Sequence, residues 1–128
     1  ATAPKVGLDV ITGTNHKECL MRKRNCHIIF DHMQGYYGIS SLESLSQGKP
    51  VIAGLDEWNC KHIKDFTGTD EIPWVIAGDN LELQRKLEML ISEPQLKESI
   101  GAKSRKFMEA CWTEEHVLES LLSLYQKN

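Results

Sequence analysis

The chain has 128 residues, which is enough for one domain with a substantial core. Its apolar fraction of 41% and charged fraction of 26% are typical of a globular protein, and no apolar run approaches the length of a membrane span. The net charge of −3 disfavours a nucleic-acid interface, which needs a basic face. The four cysteines form no CxxC pair, so the sequence favours reduced thiols in a cytoplasmic protein over a disulfide framework or a zinc site.

Strands and helices alternate in the first half of the chain. The predicted elements are a strand over 6–12, a helix over 16–24, a strand over 26–30, a helix over 38–47 and a strand over 50–53. Thr14 or Asn15 can cap the first helix, and Gly48 stands where the second should stop. The apolar runs are nearly continuous, as in strands that are buried on both faces.

The second half continues the alternation and ends in helices. The predicted elements are a short helix over 56–66, a strand over 73–77, a helix over 80–91, a helix capped by Ser92 and a last helix from Thr113. Asp79 and Glu82 form a capping-box pattern, and Pro94 falls in a first turn. We therefore predict a single α/β domain over residues 1–128. It is a Rossmann-like three-layer sandwich with a mostly parallel sheet of about four strands and a helical C-terminus.

Ligands of parallel α/β sheets bind outside the carboxyl ends of the strands. Gly35 and Gly38 frame such a turn after the second predicted strand, and the free N–H groups of the helix after Gly38 favour a phosphate. Glu43 follows within that helix, where its carboxylate can accept hydrogen bonds from adjacent ribose hydroxyls. The alternative interpretation is a tight glycine turn with Glu43 solvated on the helix surface.

The stretch CHIIFDHMQGYYGISSLESLSQGKPVIAG, residues 26–54, resembles the C-terminal, nucleotide-sugar-binding domain of GT-B glycosyltransferases of group 1 (family 4). The resemblance covers nearly the whole chain and is closest in the LESLSQGKPVIA segment. It implies the donor-binding part of an enzyme that moves a hexose from a nucleotide-diphosphate sugar to an acceptor, as in polysaccharide biosynthesis. It implies no cofactor besides that donor, and a location in the cytoplasm or at the inner membrane surface.

The same resemblance assigns roles to individual residues. The implied nucleotide-sugar-binding residues are Gly13 and Thr14 near the base, Tyr36 and Tyr37 lining the cleft, the amides of Gly38 and Ile39 at the diphosphate, and Glu43 at the ribose. The family usually carries another Glu eight residues before Glu43, where this chain has Gly35, and Asp31 is the nearest acid. The contact to the donor sugar is therefore unassigned, and so is any catalytic residue.

The resemblance further implies an acceptor-binding domain before this segment, together with basic residues that neutralise the diphosphate. We therefore expect the 128-residue chain alone to be inactive, and to self-associate through an uncovered sheet edge. Two alternatives stay open. One is a nucleotide-sugar epimerase of the same GT-B fold. The other is a non-catalytic flavodoxin-like signalling or binding module, with Asp9 or Asp31 as phosphate acceptor.

A metal site is not expected. Cys26, His27, Asp31 and His32 lie close together in the sequence, but their spacing matches no standard zinc pattern. The chain also lacks a P-loop, a GxSxG nucleophile elbow and a GxGxxG fingerprint. These absences disfavour NTPase, hydrolase and dinucleotide oxidoreductase functions.

Overall fold

The computed structural model describes residues 7–35 and 39–113, together with residues 115, 118 and 122. In chain order its elements are α1 (His16–Arg24), β1 (Ile29–Phe30), α2 (Ile39–Ser46), β2 (Val51–Ala53), α3 (Glu57–Thr67), β3 (Val75–Ile76), α4 (Asn80–Ser92) and α5 (Pro94–Cys111). The predicted last helix from Thr113 lies for the most part outside the described residues. Within the described part of the chain, no helix is both long and apolar enough to cross a membrane.

The three strands form a parallel sheet in the order β1, β2, β3. Ile29 pairs with Val51 on one side of β2, and Ala53 pairs with Ile76 on the other. A helix follows each strand, so the carboxyl ends of all three strands lie at one edge of the sheet. The α/β class and the parallel sheet are thus confirmed for three predicted strands, each of them shorter than its apolar run.

Strand β2 is the centre of the core, with both faces buried. Val51 and Ala53 belong to a cluster that includes Leu45 of α2 and residues of α3 and α5. Ile52 points to the opposite face and joins a second cluster with Leu90 of α4. Successive side chains of a strand alternate between faces, so one three-residue strand contributes to both clusters.

The prediction of a buried strand over 6–12 is wrong for residues 7–12, which form no strand. Leu8 is 90% exposed and Val10 is 64% exposed. The Arg22 side chain pairs with the Asp9 carboxylate and donates from Nη2 to the Val10 carbonyl at 3.1 Å, which ties this segment to α1. An apolar run is buried as a strand only when a neighbouring strand and a packed face are present. In this structure, Val10 bonds a side chain instead of a strand.

The helix boundaries follow local capping signals. Asn15 accepts a hydrogen bond from the Glu18 N–H at 2.8 Å at the start of α1, and Asp79 does the same for Glu82 at 2.8 Å at the start of α4. Gly48 follows α2 with φ of 74°, a left-handed conformation that glycine adopts without strain. The predicted boundary signals at Asn15, Asp79 and Gly48 are therefore confirmed.

Ser92 does not cap α5 as predicted. It is the last residue of α4, where its hydroxyl donates to the Glu88 carbonyl at 2.7 Å. Glu93 takes the N-cap position without a side-chain hydrogen bond, and Pro94 is the first residue of α5. Proline at this first position leaves one N–H fewer without a partner, and its fixed φ suits the start of a helix.

Helix α2, which carries Glu43, is held against α5 by a close backbone contact. A Cβ atom added to Gly101 of α5 would lie 2.4 Å from the Gly48 carbonyl oxygen, so only glycine fits there. One helical turn further on, Arg105 Nη1 donates to the Ser46 carbonyl at 2.6 Å. The C-terminal end of α2 is thereby fixed by residues far along the chain.

Candidate functional site

Three carboxylates follow the three strands at the carboxyl edge of the sheet. Asp31 comes directly after β1, Asp56 caps α3 after β2, and Asp79 caps α4 after β3. Asp56 and Asp79 are engaged by the first turns of their helices, where they satisfy backbone N–H groups. The Asp31 carboxylate is directed to α2.

Asp31 is largely buried at the start of α2. Its Oδ2 accepts a hydrogen bond from the Ser41 hydroxyl at 2.5 Å and lies 3.5 Å from His32 Nε2. The Asp31 side chain is 11% exposed, and Ser41 is completely buried. A buried serine hydroxyl that donates to a carboxylate is not placed to attack a substrate. These contacts fix the first turn of α2 against the end of β1.

Glu43 lies in the middle of α2 and is directed to α1. Its Oε2 lies 3.3 Å from Lys23 Nζ, and its Oε1 lies 3.6 Å from His16 Nδ1. The Glu43 side chain is 20% exposed. The carboxylate is therefore held between side chains from both ends of α1, not fully solvated on the helix surface.

The Gly13–Thr14 loop leads directly into this arrangement. Gly13 has φ of 63° and turns the chain just before Asn15, the N-cap of α1. His16, the first residue of α1, then contacts Glu43. The structure thus brings the Gly13–Thr14 loop to the end of α1 that faces Glu43.

Gly35 occupies the position at which the resembling family usually has a Glu. Its φ is 94°, and an added Cβ would lie 3.1 Å from Asp56 Oδ2. The Gly35 carbonyl accepts hydrogen bonds from the Asp56 N–H at 2.8 Å and from Asn59 Nδ2 at 2.9 Å. A glutamate at this position would be strained, because L-residues rarely adopt this backbone conformation.

Of the other predicted site residues, Tyr36, Tyr37 and Gly38 lie outside the described residues. Ile39 is described as the first residue of α2, so its backbone starts that helix. A group of three or more His, Cys, Asp or Glu side chains that could hold a metal ion is not found among residues 7–35 and 39–113.

Sequence reasoning missed Lys23, Ser40 and His16, which surround Glu43. The MRKRN segment, residues 21–25, is typical of a basic helix end that complements the dipole, and its cations do lie in the last turn of α1. Helical spacing offered a further signal. Lys23 follows Leu20 by three positions and Cys19 by four, so it falls on the apolar side of α1.

A scan of protein-family models and searches of curated proteins and of solved structures found no match to this chain. The residues and their geometry are therefore the basis for a function. The features that bear on it are Glu43 in the middle of α2, its two neighbours on α1, and the glycines that precede α2 in the sequence.

Proposed function

We propose that this chain is the donor-binding part of a GT-B hexosyltransferase. The Glu43 carboxylate binds the ribose hydroxyls of a nucleotide-diphosphate sugar, and the first amides of α2 bind the diphosphate. Gly13 and Thr14 lie against the base, while Tyr36 and Tyr37 line the cleft. A separate domain supplies the acceptor. A Rossmann-like sheet with a further strand and a cytoplasmic location are parts of the same proposal.

The observation that carries the proposal is the contact between Glu43 and the start of α1. His16 Nδ1 lies 3.6 Å from Glu43 Oε1, and Gly13 and Thr14 precede this helix directly. Two segments that the resemblance assigns to the same ligand, one to its base and one to its ribose, are therefore linked through His16. They belong to a fold with a parallel α/β sheet, whose ligands bind outside the carboxyl ends of the strands.

The ion pair with Lys23 leaves Glu43 the capacity to bind hydroxyls. A carboxylate offers about four lone-pair positions, and the Lys23 ammonium takes one of them on Oε2. The Glu43 side chain is 20% exposed, so part of it is in contact with solvent. Two adjacent hydroxyls, as on a ribose, match the remaining acceptor positions.

Helix α2 supplies donors for the diphosphate. The first N–H groups of an α-helix have no partner within the helix, and the helix dipole is positive at that end. The first turn of α2 contains no acidic residue that would compete with a phosphate. Negative charge builds up on the departing diphosphate as the glycosidic bond breaks, and fixed donors stabilise that charge.

The proposal is tested by calorimetric titration of the intact protein with UDP, GDP and ADP. A hydrogen bond to a charged group contributes about 1.5–3 kcal/mol, so Glu43→Ala should weaken nucleotide binding roughly 10- to 150-fold. Gly38→Val should also weaken binding, because a branched side chain would block the phosphate from the backbone. Glu88→Ala is the matched control, since Glu88 is an exposed glutamate in the middle of α4.

Melting temperatures separate binding from folding, because replacing a helical glutamate by alanine changes helix propensity little. If none of the three nucleotides binds to the intact protein, or if Glu43→Ala binds as tightly as the original chain, the donor-binding function is wrong. If nucleotide binds but the sugar is epimerised and no transfer is detected, the epimerase alternative replaces the transferase.

A further inference from the structure

Lys23 is buried although it is charged. The residue is 4% exposed, and within the described ranges it is the only buried residue with a charged side chain. It lies in the last turn of α1 between Arg22 and Arg24. Its Nζ crosses to α2 and ends beside Glu43.

All three hydrogen-bond donors of the Lys23 ammonium have acceptors on α2. Nζ donates to the Ser40 carbonyl at 3.0 Å, to the Ser40 hydroxyl at 2.8 Å and to Glu43 Oε2 at 3.3 Å. An ammonium has three donors and no acceptor, so this set satisfies it completely. The ammonium is thereby fixed in place, and it fixes Glu43 Oε2 in turn.

The electrostatics of α2 make this buried ammonium costly, and the orientation of the Glu43 carboxylate accounts for the cost. Ser40 is in the first turn of α2, at the positive end of the helix dipole, where a cation is unfavourable. Removing an ammonium from water adds a further cost. A neutral or apolar side chain could join the two helices without these costs, but it could not orient a carboxylate.

We infer that Lys23 is a positioning residue for Glu43, an inference that rests on the proposed donor site. Lys23 holds Oε2, so Oε1 and the outer lone pairs of the carboxylate keep a fixed direction toward the ribose. Lys23 does not touch the nucleotide, because its three donors already have partners on α2. Its role is ribose selectivity, which it exerts only through Glu43.

The test compares ribonucleoside with deoxyribonucleoside diphosphates of the same base, titrated into the intact protein. The original chain should prefer the ribose form by about tenfold or more, the lower limit for a charged hydrogen bond. Lys23→Met should reduce that preference to about threefold or less. In a Glu43→Ala background, Lys23→Met should change the preference no further. Arg24→Ala, which removes an exposed cation from the same helix turn, is the matched control and should leave the preference intact.

A merely structural role for Lys23 would lower the melting temperature but leave the ribose preference unchanged, and that result overturns the inference while the donor site stands. If the chain binds no nucleotide, or binds the ribose and deoxyribose forms equally, both the inference and the proposed donor site are wrong. If Lys23→Met does not fold, the ribose preference is measured in Ser40→Ala instead. This variant removes one acceptor of the ammonium and keeps every charge. A lower ribose preference supports the inference, and an unchanged preference overturns it.

Discussion

Replacing Gly101 by alanine should destabilise the protein, although alanine is the better helix former. Gly101 lies within α5 at the point where this helix meets the end of α2. The added Cβ would lie 2.4 Å from the Gly48 carbonyl oxygen and 3.6 Å from Pro50 Cδ. Cβ atoms essentially never lie within 3.0 Å of a non-bonded heavy atom, so the two helices must move apart.

The expected change in the free energy of unfolding of Gly101→Ala follows from two opposing effects. Alanine gains about 1 kcal/mol of helix propensity over glycine in a helix interior. Overpacking costs about 1–3 kcal/mol, and the upper end applies here because the obstacle is a backbone carbonyl. Gly48 cannot rotate away, since its N–H donates to Leu45 and its φ is 74°. The net expectation is a loss of about 1–2 kcal/mol in the free energy of unfolding.

Urea unfolding, followed by circular dichroism, measures this loss. Gly78→Ala is the matched control, because the nearest atom to its added Cβ is Glu82 Oε2 at 3.7 Å. That variant should unfold within about 0.5 kcal/mol of the original chain. If Gly101→Ala proves as stable as the original chain, or gains the full helix propensity of alanine, then α2 and α5 are not packed as described.

Two further predictions concern a cap and an ion pair. Asp79→Ala should lower the free energy of unfolding by about 1 kcal/mol, because the Glu82 N–H loses its capping partner. Asp79→Asn should recover most of that stability. Equal free energies of unfolding for the original chain and both variants would rule out the cap. The hydrogen bond from Arg22 lowers the pKa of Asp9 below its ordinary value. The pair therefore stabilises the fold above that ordinary pKa, and its contribution is lost as pH falls through the lowered one. Arg22→Ala should raise the pKa of Asp9 in an NMR titration, and an unchanged midpoint would contradict the pairing.

Local signals in the sequence were sufficient to predict where most of the helices begin or end. The caps at Asn15 and Asp79 and the stop at Gly48 act within a few residues, and the structure has all three. The predicted capping box is only half formed, because the Glu82 carboxylate accepts from the Gly78 N–H and not from that of Asp79. Ser92 shows the limit of such signals. A serine before a proline can end one helix or cap the next, and that choice depends on how far α4 can extend.

The structure of segment 7–12 could not be predicted from the sequence. Whether an apolar run forms a strand depends on pairing partners that are distant in the chain. Its hydrophobicity predicts burial, yet the Arg22 side chain and not a strand bonds to Val10. Pairing and register are properties of two segments at once. A single run of residues carries information about only one of them.

The candidate site was predictable in part for the same reason. The glycine-rich turn and Glu43 stand out in the sequence, and Glu43 lies on the helix that was predicted for it. Lys23 does not stand out, because it sits among other cations at a helix end. Its helical spacing from Cys19 and Leu20 indicates only the side of α1 on which it lies, and its burial depends on α2 packing beside that side.

The contact between α5 and α2 also has a consequence for the newly made chain. The hydrogen bond from Arg105 to the Ser46 carbonyl joins positions 59 residues apart, so a long loop must close before it forms. Phe107, on the same helix, belongs to the core cluster around Val51 and Leu45. During synthesis the N-terminal part emerges first. Until α5 has left the ribosome, that side of the sheet has only part of its cover, and the half-made chain is exposed to chaperone capture and to aggregation.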